Sequence, residues 1–581
     1  MSNLKHALFE QITSEDNVRL AVKLTLNDVS KEMFCNPIQI EHCRANLAKY
    51  IKMVRSRLLD YQNFETKVAV RALKRKNAFV LRNFVTPDIE DNIARMAVVL
   101  PIANELEARL IDNCFSNRRG EQAKLNNSLT EDYAKHGWPK FCEWQAAAVK
   151  NYNLLLKTDL SSFFDSVCHE HLINAIRKEF GIPSTDPLVF LLKQLLKVKH
   201  VYSGLSDPKE VIHGITIGPL GNHVFANLLL NEIDHIMLSI AGIEYGRYVD
   251  DIRIFASSKQ KIKTALNTLQ MKLYEIGLNL NGAKTQYAGN TKLLNKLLSE
   301  KFFTYLDEED IGNFKAPSPK RESEIVSDMQ RYHESKVNDV NLPFNTDYRD
   351  LASWKRVKVM SRSDLRKEYL QSINQALRID PGKINHIAVN RLIRFIRDDP
   401  DNEKFACWLI SGIVTSPMIS KSKRKKYLRK ALNLMLSKEV TSYAIFRILY
   451  FLSYQSKYPS FDYSVVNNSF SMELKSDFEN MMIFCINNDR LILNLIGLFA
   501  LKSYNDNHSK DMHIRIRLKR NQQGNSIWED HLHLVKRIPK VIQRKSDVSE
   551  LQGIIDTKEV LDVDLKEMGV ISGDVIEFVN S

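Results

Sequence analysis

The sequence predicts an α+β fold continued by an α-helical carboxy-terminal region. Between about residues 150 and 290, short apolar runs such as Tyr152 to Leu156 and Arg253 to Ala256 alternate with apolar residues at helical spacing, such as Val224, Leu228, Ile233 and Ile236. Nine of the 20 glycines (Gly204, Gly214, Gly218, Gly221, Gly242, Gly246, Gly277, Gly282 and Gly289) fall between residues 204 and 289, and glycines cluster where a backbone turns sharply or approaches a ligand closely. From about Ser361 to Tyr504 the pattern changes to successive amphipathic helices, among them DLRKEYLQSINQAL, INHIAVNRLIRFIRDD, KYLRKALNLMLSK and YAIFRILYFLSYQ. Their similar lengths suggest stacked helical pairs, without a crisp repeat period.

Taken from the amino terminus, residues 1–110 read as mostly helical, with a basic segment, RALKRKNAFVLRN at 71–83, lying between helical stretches as a solvated face. Residues 111–306 hold the mixed region. Residues 307–350 are polar, carry three of the 16 prolines and read as a linker. Residues 351–510 are the helical region. In 511–581, HIRIRLKR alternates at period two and GDVIEFV is strand-like, so a small mixed appendix closes the chain.

At 581 residues, two or three domains are expected. An apolar fraction of 44% with 26% charged residues excludes fibrous and low-complexity classes. No run of about 18 uncharged apolar residues occurs, and the first residues carry acids where a signal peptide needs a basic start, so no membrane association and a cytoplasmic location are expected. The seven cysteines show no CxxC spacing, which points to packing rather than to a disulfide framework or a zinc knuckle. The net charge of +14 divides into +7 on each side of residue 300, from 39 basic against 32 acidic residues and then 44 against 37. Such a balance suits a polyanionic partner such as nucleic acid, although many soluble proteins reach it without one.

The segment YGRYVDDIRIF, Tyr245 to Phe255, places two adjacent aspartates between two short β-type runs. Neighbours on a strand point to opposite faces, but a tight hairpin turn at Val249, Asp250 and Asp251 can present both carboxylates near one cation. Alone, such a pair is as consistent with a solvated turn. A second strand-like run, YNLLLKTDL, ends in Asp159, which read alone is a capping residue. Phosphoryl transfer to a nucleotide uses two magnesium ions about 3.5–4 Å apart, held by carboxylates from more than one element. Asp159, Asp250 and Asp251 supply that charge.

These residues resemble a known family. TDLSSFFDSV (158–167) is similar to the first catalytic motif of reverse transcriptases, and YVDD (248–251) to the third. Between them HGITIGPLGNHVFANLLLNEID (213–234), a Gly-rich turn entering a helix with Ala-Asn and a later acid, is similar to the second, and GLNLNGAKT (277–285) to the fourth. The resemblance implies a right-hand fingers/palm core and an RNA-directed DNA polymerase, a nucleotidyltransferase. Its metal set would be Asp159, Leu160, Asp250 and Asp251 with two Mg2+ ions, or Mn2+ in their place. Phe164 matches the bulky gate that leaves no room for a 2′-hydroxyl, although Phe163 and Phe164 can both be core residues. Tyr248 would lie near the primer terminus, where a cross-strand role is equally natural. Lys284 matches the lysine that approaches the incoming triphosphate and protonates the leaving pyrophosphate; read alone, it is a solvated loop residue. Arg118 and Arg119 offer guanidinium groups suited to triphosphate oxygens, or are surface arginines.

Gly218 ends the stretch Thr216-Ile217-Gly218, where most members of the family read Pro-Gln-Gly. Isoleucine cannot make the hydrogen bond by which that glutamine helps place the template base, so template engagement is altered: restricted to one fixed RNA, or loosened to untemplated addition. His223 has no family role, and a capping or buried hydrogen-bonded histidine is the simpler reading. The chain shows neither an RNase H site nor a maturase signature. In architecture it is most similar to bacterial abortive-infection and defence-associated (unknown-group) reverse transcriptases, in which an α-helical repeat domain follows the polymerase core. That implies antiviral defence by DNA synthesis, copied from a partner non-coding RNA or made without a template, sometimes primed on a protein hydroxyl and often in an oligomer. The implied partners are deoxynucleoside triphosphates, RNA, the DNA product and further copies of the chain. Two other readings stay open: a retron- or intron-like enzyme copying its cognate RNA, and an RNA-binding scaffold built on a degenerate polymerase fold. The basic start of a helix at SKSKRKKYLRK (420–430), and the clusters HIRIRLKR and VKRIPKVIQRK, suit RNA phosphates as well as they suit solvent.

Overall fold

A computed structural model describes residues 3–293 and 370–538, with short interruptions and two longer ones at 455–471 and 507–525, of which Ile514 is described. The expected linker at 307–350 and the strand-like GDVIEFV lie outside the described residues, as does most of HIRIRLKR.

Four helices open the chain: α1 (Asn3–Thr13), α2 (Glu15–Val29), α3 (Pro37–Ala45) and α4 (Leu47–Leu59). Asn36 caps α3 by accepting from the Gln39 N–H, and Pro37 occupies the first turn, where a missing donor costs nothing. The basic segment at 71–83, expected between helical stretches as a solvated face, is only in part solvated. It forms a hairpin of β1 (Ala69–Arg75) and β2 (Leu81–Thr86), paired from Val70↔Thr86 to Arg75↔Leu81. Three of its charges are engaged: Arg71 donates to Asn83 across the pair, while Lys74 and Arg75 donate to the carbonyls of Pro400 and Arg397. The charge run is therefore in part a contact with the carboxy-terminal helices. Helix α5 (Ile89–Glu107), capped by Asp88, is buried along most of its length and runs through the centre of the amino-terminal half.

The mixed region continues with α6 (Glu121–Leu125), α7 (Trp138–Asn151), β3 (Leu154–Asp159), α8 (Phe163–Ser166), α9 (His169–Phe180), α10 (Pro187–Leu196), β4 (Lys199–Val201) and β5 (Lys209–Glu210). It closes with α11 (Gly221–Leu238), β6 (Ile243–Tyr248), β7 (Asp251–Ala256), α12 (Lys259–Glu275) and β8 (Gln286–Ala288). Among the described residues two four-stranded sheets result, ordered β2-β1-β4-β5 and β6-β7-β3-β8. The second sheet is antiparallel throughout and sets Asp159 opposite Asp251. Alternation along its strands divides its residues between two faces. Leu154, Leu156, Tyr245, Ile252 and Ile254 join the main core, on which α11 and α12 pack, whereas Leu155, Phe255 and Ala288 form a small cluster with Ala148 of α7. The polar end of the sheet is thus held from both sides.

Among the described residues between 386 and 537 lie α13 (His386–Asp398), α14 (Glu403–Thr415), α15 (Lys421–Leu436), α16 (Ser442–Tyr454), α17 (Met472–Ile486), α18 (Leu491–Asp506) and α19 (Ser526–Arg537). Three of the helical segments read from the sequence coincide with α13, α15 and α16; DLRKEYLQSINQAL lies mostly outside the described residues. The last helix lies in the stretch expected to be a small mixed appendix. These helices share the main hydrophobic cluster with the amino-terminal half. Phe34 sets its ring against Tyr443 and Phe446 at centroid separations of 5.3 and 5.4 Å, and Asn36 bonds His531 at 2.8 Å. No described helix is long and apolar enough to cross a membrane.

Candidate active site

The β6–β7 hairpin closes with Tyr248 paired to Asp251, which leaves Val249 and Asp250 as a two-residue turn. Val249 sits at φ +56°, in the left-handed region that a β-branched side chain rarely adopts. Such a conformation costs on the order of 1–3 kcal/mol and persists only where the surroundings impose it. Here the Val249 N–H donates to Ser116 Oγ at 2.8 Å and its carbonyl accepts from Arg247 Nη1 at 3.2 Å.

The turn carries Asp250 to the end of β3, where the Leu160 N–H donates to the Asp250 carbonyl at 3.2 Å. Burial pushes the Asp250 carboxyl up to about 6, and the charge of Asp159 adds to the effect, with a smaller share from Asp251. Lys284 opposes this shift. Its Nζ donates to Asp159 Oδ2 at 2.6 Å. Burial works against the lysine's charge, but the bond to Asp159 and the charges of Asp159, Asp250 and Asp251 outweigh it and hold the ammonium above its ordinary value. The loop that brings Lys284 there is tied along β3: the Ser161 N–H donates to the Asn279 carbonyl at 2.8 Å, and the Asn281 N–H to the Asp159 carbonyl at 2.7 Å.

Asp251 is placed differently. Two residues apart on a strand, Asp251 and Arg253 share a face, and both carboxylate oxygens accept from the Arg253 guanidinium, the Nη2–Oδ2 bond measuring 2.9 Å. That guanidinium also lies 5.6 Å from the centre of the Phe141 ring. The expectation of three equivalent acids becomes two converging carboxylates, Asp159 and Asp250, and a third held by an arginine that the sequence reading did not single out.

This donor set fits a magnesium ion. Among the described residues no three of His, Cys, Asp and Glu are gathered as a ready cage, but Mg2+ is commonly bound by one or two carboxylates, with substrate phosphates and water completing its shell. Asp159 and Asp250 crowd two negative charges at one place, which a divalent cation would relieve. Leu160 can add its carbonyl, since the two bonds that flank it use the carbonyls of Asn279 and Asp159 instead. Because a ligating carboxyl must be ionised, Mg2+ binding is expected to release a proton from Asp250 below pH of about 6 and almost none above pH of about 7. Calorimetric titration in buffers of different ionisation enthalpy measures this, and affinity should fall as the pH drops through that range.

Residues 106–306, which contain the whole of this arrangement, match the family model described as reverse transcriptase (RNA-dependent DNA polymerase). The chain carries a reverse transcriptase domain. It is thereby an RNA-directed DNA polymerase, a nucleotidyltransferase. No curated protein matches the chain.

Within the reverse transcriptase domain the remaining candidate residues fall into distinct settings. Phe163 is buried, whereas Phe164 is half-exposed, with its ring 5.4 Å from Phe163 and 5.0 Å from His223. His223 is not the hydrogen-bonded histidine expected at Nδ1, which is buried without a partner, and burial pushes the imidazole down to about 4, so it is neutral. Tyr248 lies on the Asp251 side of β6, with its ring 5.3 Å from Trp138 and 5.9 Å from Phe141. Gly218 has φ +145°, and a Cβ there would meet the Val85 carbonyl at 2.4 Å, so close approach to β2 accounts for this glycine. Ile217 packs on the core and accepts from the Val85 N–H through its carbonyl.

Arg118 and Arg119 correct the expectation of a triphosphate contact. Arg118 bonds the Glu107 carboxylate and the carbonyls of Ile111 and Cys114; Arg119, 7% exposed, bonds Asn104 and the Ser128 carbonyl. Their donors are committed inside the protein, an outcome that depends on how the 107–129 segment folds back on itself rather than on the residue type. Sequence reasoning noted the Ala-Asn and the later acid of the second motif but gave no role to Asn227 or Asp234, and it missed Ser116, Arg247 and Arg253. The signal available was spacing: Asn227 and Asp234 stand seven apart on one helix, and Arg253 two residues beyond Asp251 on a strand.

Proposed function

We propose that this protein adds deoxynucleotides to a primer by a two-metal mechanism, in anti-phage defence, using a non-coding RNA as template or working without one, with priming on a protein hydroxyl as a further route. The observation that carries the reading is the meeting of Asp159 and Asp250 beside Lys284 at the polar end of the β6-β7-β3-β8 sheet. When bound, the metal ions would activate the attacking 3′-hydroxyl and neutralise the pyrophosphate leaving group. Asp159 and Asp250 would hold them, with the Leu160 carbonyl beside them and Asp251 available on exchange with Arg253. Lys284, kept charged by its acidic neighbours, protonates the departing pyrophosphate in this reading.

Phe164 serves as the sugar gate in this reading, its exposed edge toward the nucleotide and its other contacts on Phe163 and His223. Phe164→Ala is expected to raise ribonucleotide use relative to deoxynucleotide use by about tenfold or more, measured as the ratio of kcat/KM for matched substrates. An unchanged ratio removes Phe164 from that role. Ile217, half-buried against the core, offers the template no side-chain hydrogen bond, which favours a fixed RNA or untemplated addition over copying of arbitrary RNA. Lys421, Lys423 and Lys426 stand exposed at the start of α15 and suit an RNA backbone. Assembly into an oligomer completes the defence reading.

The test is primer extension by purified protein with whatever RNA copurifies, in Mg2+, with each labelled deoxynucleotide alone and all four together, before and after RNase, beside Asp250→Ala/Asp251→Ala. Product made only by the intact protein supports the polymerase reading. Loss after RNase favours an RNA template, dependence of product sequence on that RNA favours the retron-like alternative, and persistence with one nucleotide favours untemplated addition. Product equal to that of the double variant overturns the reading in favour of an RNA-binding scaffold.

A further inference from the structure

The hairpin turn that carries Asp250 is strained, and the groups that hold it belong to a continuous buried network. Asn227 and Asp234 lie seven residues apart on one face of α11, both nearly inaccessible. The Asp234 carboxylate accepts from Arg247 Nε at 2.9 Å and Nη2 at 2.8 Å, and from the Tyr245 hydroxyl at 2.7 Å. With those two nitrogens fixed, Arg247 Nη1 donates to Asn227 Oδ1 at 2.9 Å and to the Val249 carbonyl at 3.2 Å. Asn227 Nδ2 in turn donates to the Ser116 carbonyl at 2.7 Å, and Ser116 Oγ receives the Val249 N–H at 2.8 Å. The strand-like segment that carries Ser116 is itself tied to β6, through the Phe115 N–H to the Arg247 carbonyl and the Arg247 N–H to the Asn113 carbonyl.

Both backbone polar groups of Val249 therefore end on this network, one through Ser116 and one through Arg247. A valine at φ +56° is not held there by its own preference. We propose that the relay Asp234–Arg247–Asn227–Ser116 imposes the left-handed turn at Val249 and thereby sets the position of the Asp250 carboxylate, making Ser116 and Asn227 positioning residues of the acid cluster. The proposal rests on the reading of Asp250 as a metal-holding acid. It adds to it a second layer of residues that touch neither substrate nor metal.

Ser116→Ala removes the acceptor of the Val249 N–H and little else. With the turn released, kcat is expected to fall about tenfold to a hundredfold, as displacement of a reacting group by about 1 Å can do, while the deoxynucleotide KM stays within about twofold. Mn2+ binding to the protein alone, read by electron paramagnetic resonance, should weaken in parallel. Val249→Gly accepts a positive φ without strain, so the double variant Ser116→Ala/Val249→Gly should recover part of the lost kcat, which a purely structural defect would not do. Asn227→Ala is the second variant and should show the same split. Asn494→Ala, which removes three bonds from α18 to the carbonyls of Cys485, Ile486 and Asn488, far along the chain, is the control for lost stability alone. Unchanged kcat and Mn2+ affinity in Ser116→Ala and Asn227→Ala, beside an inactive Asp250→Ala, would overturn the relay and leave the acid cluster standing. An equal loss in Asn494→Ala would also overturn it, whereas full activity in Asp250→Ala would overturn the cluster reading itself.

Discussion

Asp250→Asn and Asp159→Asn are each expected to lower the rate of nucleotide addition by about a thousandfold or more, with the fold intact, because each removes one of the two carboxylates that converge, among the described residues, where the proposed mechanism has charge develop on the transferring phosphorus. The amide is nearly isosteric and places a neutral group in the crowded site, so Asp250→Asn removes the burial cost of a charge and, after it, the repulsion from Asp159, which together push the Asp250 carboxyl up to about 6. The thermal midpoint should accordingly hold or rise while activity disappears. Single-nucleotide extension and thermal unfolding, read on the same preparations, separate the two effects. A variant of either residue that keeps a tenth of the rate would remove it from the centre of the chemistry. Asp251→Asn offers a graded comparison. Its carboxylate is already held by Arg253, so its loss should act partly through Arg253, which is 5% exposed and would be left without that partner.

Asp234→Ala is expected to destabilise the protein by about 3–5 kcal/mol, since it leaves the buried Arg247 guanidinium without its counter-charge. The Tyr245 hydroxyl loses its acceptor as well. Urea unfolding measured beside the wild type gives the loss directly, and a change under about 1 kcal/mol would mean that water or another acceptor replaces the carboxylate. Replacing both members, as Asp234→Leu/Arg247→Met, is expected to recover much of the stability, because a buried pair exchanged for apolar groups of similar volume is often neutral. It should not recover activity, since Val249 has then lost the Arg247 bond to its carbonyl. Separation of stability from activity in this variant distinguishes a pair that holds the core together from one that aims the turn.

The strands that end at Asp159 and begin at Asp251, the tight turn between β6 and β7 and the helix from Gly221 were all visible as local patterns. Each depends on apolar periodicity and turn chemistry within about 15 residues. The basic segment at 71–83 was misread for the same reason: its alternation is weak, and what makes it a hairpin is cross-strand pairing together with the carbonyls of Arg397 and Pro400 more than 300 residues away. Arg118 and Arg119 show the limit from the other side. Their chemistry suits a triphosphate, yet the carbonyls gathered around them by the 107–129 segment take the same donors. His223 resisted prediction because its state depends on burial against Phe164, which no spacing encodes.

The sequence by itself determined the class of chemistry, because the order and spacing of four short motifs put acidic, aromatic and basic residues on elements whose local patterns were readable. Only the tertiary structure decided how those residues divide their roles. Asp159 and Asp250 converge while Asp251 turns to Arg253, and a valine adopts a left-handed turn because Ser116 and Arg247 hold it there. The physical reason is range. Periodicity and turn propensity act between neighbours along the chain, whereas the direction of a carboxylate is set by burial, charge and hydrogen bonds that arrive from residues more than a hundred positions away, as Lys284 does for Asp159 and Ser116 for Val249.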